Sequence, residues 1–263
     1  SYGALAGRIG RYKDSENLLR RALELSPAFT AARANLALVL YRQNRPAEAI
    51  EQLNLVVAEE PDNPGHANLQ AAALGRIGEF DEAITLYERV LQQAPNQPRV
   101  WMSFGHMLKT VGRQADGIMA YRKAIELMPQ LGEAWWSLAN LKTVRFSDGD
   151  IAAMEAALAG GDVASEDRFH LDFALGKALE DRGEAAASFA HYAAGNALRR
   201  TELDYDADET TRFVDRLIEI ATPEFFAARA GQGCDASDPV FVLGMPRAGS
   251  TLVEQILSSH SLI

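Results

Sequence analysis

Residues 78–129 read GEFDEAITLYERVLQQAPNQPRVWMSFGHMLKTVGRQADGIMAYRKAIELMP. Gly78 and Gly112, Tyr87 and Tyr121, Val90 and Ala124, and Pro95 and Pro129 are each 34 residues apart. The register extends towards the N-terminus: Gly10 and Asn44, Leu19 and Leu53, Ala22 and Val56, and Pro27 and Pro61 occupy the same positions. Series that share one period mark a repeat architecture. Within each period apolar residues recur at three and four, as in Ala83, Leu86, Tyr87 and Val90, which is helical spacing. The Gly or Asn sits where a helix must end with positive φ. The proline follows a second helix that it cannot continue. The unit is therefore a helix–turn–helix, with too little core to stand alone, and neighbours must stack into an α-solenoid.

These features resemble the tetratricopeptide repeat. Trp101 and Trp135 stand at that family's aromatic position, Phe104-Gly105 and Leu138-Ala139 at its large–small pair, and Ala49 and Ala83 at its helix crossing. The expected repeats run about 1–29, 30–63, 64–97, 98–131, 132–160 and 169–202. The first appears only in part, which leads us to expect that it begins upstream of Ser1. The fifth decays after EAWWSLANLK, with a second helix expected over 150–159, capped by Ser147 or Asp148, before Gly160-Gly161 interrupts it. A connector over 201–237 follows, with a helix near 209–220 and a short one opened by Thr222-Pro223-Glu224 as N-cap, N1 proline and first-turn acid.

Composition narrows the function classes. With 263 residues, 48% of them apolar and 24% charged, the chain reads as globular. No apolar run is long enough for a bilayer span, so no membrane partner is expected. The net charge of −10 disfavours nucleic acid. One cysteine, Cys234, permits no internal disulfide and fits the cytosol. His66, His106, His170, His191 and His260 show no ligand spacing, so no metal is expected.

The resemblance implies that first helices line a groove for a protein or peptide. Its groove positions fall on Arg42, Arg76, Arg99, Met102, His106, Lys109, Trp136 and Asn140. The set is more basic than the chain and would suit an acidic or aromatic peptide. Exposed charges of this kind also occur on any solvated helix face. Trp101 and Trp135 read as core, and Trp136 as the groove aromatic.

From Asp238 the text changes to DPVFVLGMPRAGSTLVEQILSSHSLI. Val240–Leu243 reads as a buried parallel strand, Gly244–Thr251 as a glycine-bounded loop, and 252–257 as a helix. Strand, loop and helix N-terminus together make a phosphate cradle. The spacing fits G-x-x-x-x-G, but Ser250 stands where a Walker A loop needs lysine, which argues against a kinase or nucleoside triphosphatase.

PRAGSTL, between that strand and VEQIL, resembles the 5′-phosphosulfate loop of sulfotransferases, nearest to the tyrosylprotein sulfotransferase-like branch, whose bacterial members often carry tetratricopeptide repeats. The resemblance implies an α/β sulfotransferase domain beginning at 238. Its donor would be 3′-phosphoadenosine 5′-phosphosulfate, and its acceptor a hydroxyl or a protein tyrosine. Arg247, Ala248, Gly249, Ser250 and Thr251 would bind that nucleotide. Ala248 replaces the family's serine and Ser250 its threonine. The family's catalytic glutamate would fall beyond Ile263. Glu254 lies on the loop helix itself and is rejected as the base. The chain alone is thus expected to be inactive. A non-enzymatic repeat scaffold remains the alternative.

Overall fold

The computed structural model describes residues 2–161, 163–234 and 236–261. The chain divides into two units, Ser1–Leu203 and Asp204–Ile263.

Six helix pairs build the first unit: α1 (Tyr2–Arg8) with α2 (Tyr12–Leu25), α3 (Thr30–Arg42) with α4 (Pro46–Glu59), α5 (Pro64–Ile77) with α6 (Phe80–Gln93), α7 (Pro98–Thr110) with α8 (Gln114–Leu127), α9 (Gly132–Ala139) with α10 (Asp148–Ala159), and α11 (Ser165–Asp181) with α12 (Ala185–Thr201). The turn between partners carries positive φ at Gly10 (81°), Asn44 (61°), Gly78 (92°), Gly112 (83°) and Gly183 (78°). Each of α2, α4, α6 and α8 stops two residues before Pro27, Pro61, Pro95 or Pro129. The intervening cap residues, Ser26, Glu60, Ala94 and Met128, have ψ between 67° and 86°, as expected when a proline ring excludes the α region from its predecessor.

Small residues let the partners cross closely. Ala49 and Ala83 are fully buried. Ser15 and Ser188 use the same position to donate 2.7 Å hydrogen bonds to the Gly3 and Gly176 carbonyls. Large residues then fill the space between repeats. Leu36, Leu40 and Leu19 join repeats one and two, and Tyr87, Leu91 and Phe104 join three and four. Tyr121, Trp135, Leu138, Met154 and Leu171 join four, five and six. The two repeat tryptophans also close the inter-repeat turn. Trp101 Nε1 donates to the Pro95 carbonyl at 2.7 Å and Trp135 Nε1 to the Pro129 carbonyl at 2.8 Å.

Repeat five departs from the pattern because its turn glycine is missing. α9 stops at Ala139, and the positive φ falls on Lys142 (61°) instead. The chain re-enters helix at Asp148 behind a capping box, in which Ser147 Oγ accepts from the Asp150 amide while the Asp150 carboxylate accepts from the Ser147 amide. α11 begins at Ser165, four residues ahead of the expected sixth repeat.

First helices of neighbouring repeats touch, α1 with α3, α3 with α5 and α5 with α7, and they lie closer together than the second helices do. They therefore form the concave side of the solenoid.

The second unit contains α13 (Ala207–Ile220), α14 (Pro223–Ala227) and α15 (Ser250–Ser258). Asp206 and Thr222 cap the first two, accepting from Asp208 and Phe225 amides. Val240–Leu243 is not a strand, contrary to the sequence expectation. A parallel strand exists only through hydrogen bonds to a neighbour, and the described residues contain no strand to pair with. No helix among the described residues is long and apolar enough to cross a membrane.

Candidate functional site

Two places carry the residues singled out by sequence. On the concave side of the solenoid, Arg42 and Arg76 are exposed near the ends of α3 and α5. The Arg76 guanidinium lies 4.2 Å from the Tyr41 ring centroid and donates to Asn44 Oδ1 at 3.2 Å, which fixes its place between two repeats. Arg99 opens α7 and faces Asp167 Oδ2 at 3.8 Å. Asp167 itself is buried and accepts the Gly132 amide at 3.0 Å, so the partner of Arg99 is held rigidly.

His106 Nδ1 lies 2.8 Å from the Tyr121 hydroxyl, and its Nε2 lies 3.6 Å from Glu133 Oε1. That imidazole holds the Glu133 carboxyl below its ordinary range, against the opposing effect of burial. Burial pushes the Tyr121 phenol up to about 12. His170, close by on α11, is pushed below its ordinary range by burial, against the pull of Glu133, Glu166 and Asp167. Trp136 is half-buried with its ring 5.6 Å from Phe173, and Asn140 is the exposed C-cap of α9. Lys109 is exposed on the last turn of α7.

Met102 departs from expectation. It is 6% exposed and packs in the core shared by repeats four to six, so it does not line the groove.

The structure adds residues that sequence reading did not name. Arg8 ends α1 at the position equivalent to Arg42 and Arg76, and the 34-residue period alone would have found it. Glu133 and Asp167 stand beside His106 and Arg99, but these partnerships cross repeats and leave no mark on the period.

The second place is the loop 244–251. Ala248 N donates to the Met245 carbonyl at 3.1 Å, closing a turn over Pro246-Arg247. Arg247 (φ 64°) and Gly249 (φ 85°) both take the left-handed region, with Ala248 between them. Gly249 is the N-cap of α15 and offers no side chain. The first backbone bond there is Val253 N to Gly249 O at 3.1 Å, so the Ser250, Thr251 and Leu252 amides precede the helical ladder. Converging open amides at a helix start suit an anion. Arg247 supplies the one side-chain cation in this loop and is exposed.

Comparison with known proteins finds matches in both regions of the chain. The tetratricopeptide repeat model matches residues 10–73, and a second such model matches 67–107. A sulfotransferase family model matches residues 239–263. An uncharacterized protein of Aquifex aeolicus is 29% identical over 79% of this chain and 27% of its own length. The human protein O-mannosyl-transferase TMTC1 is 26% identical over 54% of this chain and 17% of its own. The chain thus spans about a quarter or less of these relatives. Among solved structures, the human IFIT1 dimer with PPP-AAAA superposes with a TM-score of 0.56 at 21% identity, covering 75% of this chain and 49% of that one. This likeness speaks for the fold alone. The first unit is a helical solenoid of the tetratricopeptide-repeat kind, with repeat matches over residues 10–107, and a short stretch similar to sulfotransferases lies at 239–263.

Proposed function

We propose that this chain combines a peptide-binding repeat groove with the donor loop of a sulfotransferase that uses 3′-phosphoadenosine 5′-phosphosulfate. The observation that carries the enzymatic half is a coincidence at one place. The sulfotransferase match at 239–263 falls on a loop whose backbone turns through two left-handed residues into an open helix start. That geometry fits the nucleotide's 5′-phosphosulfate. Gly249, Ser250 and Thr251 would offer amides and two hydroxyls to it, with Ala248 as the small residue that keeps the turn tight. Arg247 would offer its guanidinium, each charge-assisted bond contributing roughly 1.5–3 kcal/mol. When bound, the donor supplies an activated sulfuryl group for transfer to a hydroxyl or phenol. The loop's task is to fix its position and to balance charge on the bridging oxygen.

The test is sulfate transfer by the protein carrying this chain, at limiting donor, with Arg247→Ala. A loss of at least about tenfold in kcat/KM is expected, the equivalent of one charge-assisted bond. Transfer equal to wild type overturns the donor-loop reading.

The groove half rests on the repeats, which generally serve protein–protein interaction, and on the exposed Arg42, Arg76, Lys109 and Asn140 with the half-buried Trp136. Arg99 lies on the same face with its charge already matched by Asp167, and His106 stands there beside Glu133. One observation favours the plainer reading, a repeat scaffold without enzymatic activity: the Aquifex and human relatives are matched over 207 and 147 residues, whereas the sulfotransferase stretch is 25 residues long. That scaffold would bind peptide and show no affinity for adenosine 3′,5′-bisphosphate.

A further inference from the structure

Charge is sorted between the two sides of the solenoid. The first helices α1, α3, α5 and α7 contain no Asp or Glu, although the whole chain has 36. They carry Arg8, Arg33, Arg42, Arg76, Arg99 and Lys109. The second helices α2, α4, α6 and α8 each hold two or three carboxylates.

A cation in the last turn favours any helix through its dipole. That explanation fails to account for the sorting. α1, α3, α5 and α7 all have a basic last turn, and α2, α4, α6 and α8 have none. The dipole is the same in both sets and so does not distinguish them.

The concave cations are not equivalent. Arg99 faces Asp167, a carboxylate supplied by α11. Arg8, Arg42 and Arg76 form no ion pair among the described residues and stand at one position of three successive repeats. Between Arg8 and Arg42 lies a concavity of about 280 Å³, floored by Leu38 and Tyr12 with Asn35 at its side. It has room for a carboxylate side chain and the backbone that bears it.

We infer that Arg8, Arg42 and Arg76 form a ladder that binds an extended acidic protein segment whose carboxylates recur at every third residue. This rests on the reading of the concave side as a peptide groove. The spacing follows from geometry. Neighbouring packed helices lie about 8–10 Å apart, and an extended segment of polyproline II form rises about 3.1 Å per residue with three residues per turn, so every third side chain faces the same side roughly one repeat apart. The ladder ends before repeat four, where Arg99 already faces Asp167. A nucleic-acid strand is the poorer match, because carboxylate-rich second helices flank the ladder.

The test is fluorescence anisotropy at low salt with the full chain and two labelled peptides of equal composition. One carries three glutamates at every third position in a Gly/Ser background. The other carries them consecutively. The spaced peptide is expected to bind more tightly, and Arg8→Ala, Arg42→Ala and Arg76→Ala each to weaken it about fivefold, the upper end for one exposed charge pair. Arg89→Ala, on the exposed side of α6, is expected to leave it unchanged. Equal binding of the two peptides, with Arg89→Ala as damaging as Arg42→Ala, would reduce the ladder to general charge attraction and overturn it. Binding unaffected by Arg42→Ala with Arg76→Ala, but lost in Trp136→Ala, would overturn the ladder and keep the groove. No binding of either peptide, with circular dichroism showing intact helices, would overturn both. Tighter binding of a single-stranded oligoadenylate that displaces the spaced peptide would also overturn it.

Discussion

The solenoid and the segment after Leu203 are both rich in apolar residues and meet opposite fates. In the solenoid Leu36, Leu40, Leu53, Tyr121 and Trp135 are at most 2% exposed. In the second unit α13, α14 and α15 bury no residue, and Phe241 and Leu243 are 83% and 89% exposed. The difference lies in the range of the contacts. A repeat finds its packing partners within its own 34 residues and the next, so its core forms wherever two repeats are adjacent. A strand such as Val240–Leu243 depends on another strand, and the described residues offer none. The loop 244–251 nevertheless keeps its shape, because turn and helix start are local structures held by Gly249 and by the Ala248–Met245 hydrogen bond. Groove and loop therefore have separate physical supports, and each is open to separate attack.

The largest effect should come from Trp135→Ala. It empties the core between repeats four and six and removes the bond to the Pro129 carbonyl, costing about 3–5 kcal/mol. Urea unfolding followed by circular dichroism would read it. Phe241→Ala should stay within about 0.5 kcal/mol, the range for exposed sites. Equal losses from the two would erase the contrast.

Next in size is Gly105→Ala. An added Cβ would lie 2.7 Å from the Tyr121 ring, and overpacking of this kind costs about 1–3 kcal/mol. Gly176→Ala repeats the experiment in the sixth repeat, where the Cβ would lie 2.8 Å from the Tyr192 ring. Gly244→Ala meets only Ala248 Cβ, at 3.4 Å, and should be near neutral for stability. Thermal melts of the three variants would show whether close approach decides the cost.

Gly249→Ala forces a Cβ into the left-handed region at an estimated 1–2 kcal/mol. Its effect should be confined to the start of α15, visible as faster amide exchange there with no change in the solenoid's melting point. A lowered solenoid melting point would couple two regions that the account keeps apart.

The smallest effect is a pH dependence in repeats four to six. Burial depresses His170, so its contribution to stability is present above an unfolded value of about 6.5 and is lost as the pH falls below it. Glu133 is depressed by His106, and its contribution is lost only at lower pH, as the pH falls from about 4.3 towards the folded value. Stability should thus hold from pH 8 to 7 and decline in two steps on acidification. His170→Gln should flatten the first step and leave the second.

What the sequence made legible follows the same division. Gly10, Asn44, Gly78 and Gly112 announced their turns because backbone geometry there admits few residue types. The prolines announced helix ends for the same reason. Ser147, one of two proposed caps, was settled by the reciprocal bond with Asp150. Met102 was misplaced because a family position says which way a helix faces on average, and here the side chain joins the core shared by repeats four to six. The neutralisation of Arg99 by Asp167 was invisible because it joins α7 to α11 across an irregular repeat. The strand at 240–243 was read from β-branched and aromatic residues, but such propensity yields to the absence of a pairing partner.

The most direct test of the account is amide hydrogen exchange on the protein carrying this chain, with and without adenosine 3′,5′-bisphosphate. Slowed exchange at Gly249–Leu252, with α1–α8 unchanged, is the predicted result. Exchange unaltered at those amides under saturating nucleotide, or slowed instead along the concave helices, would contradict it.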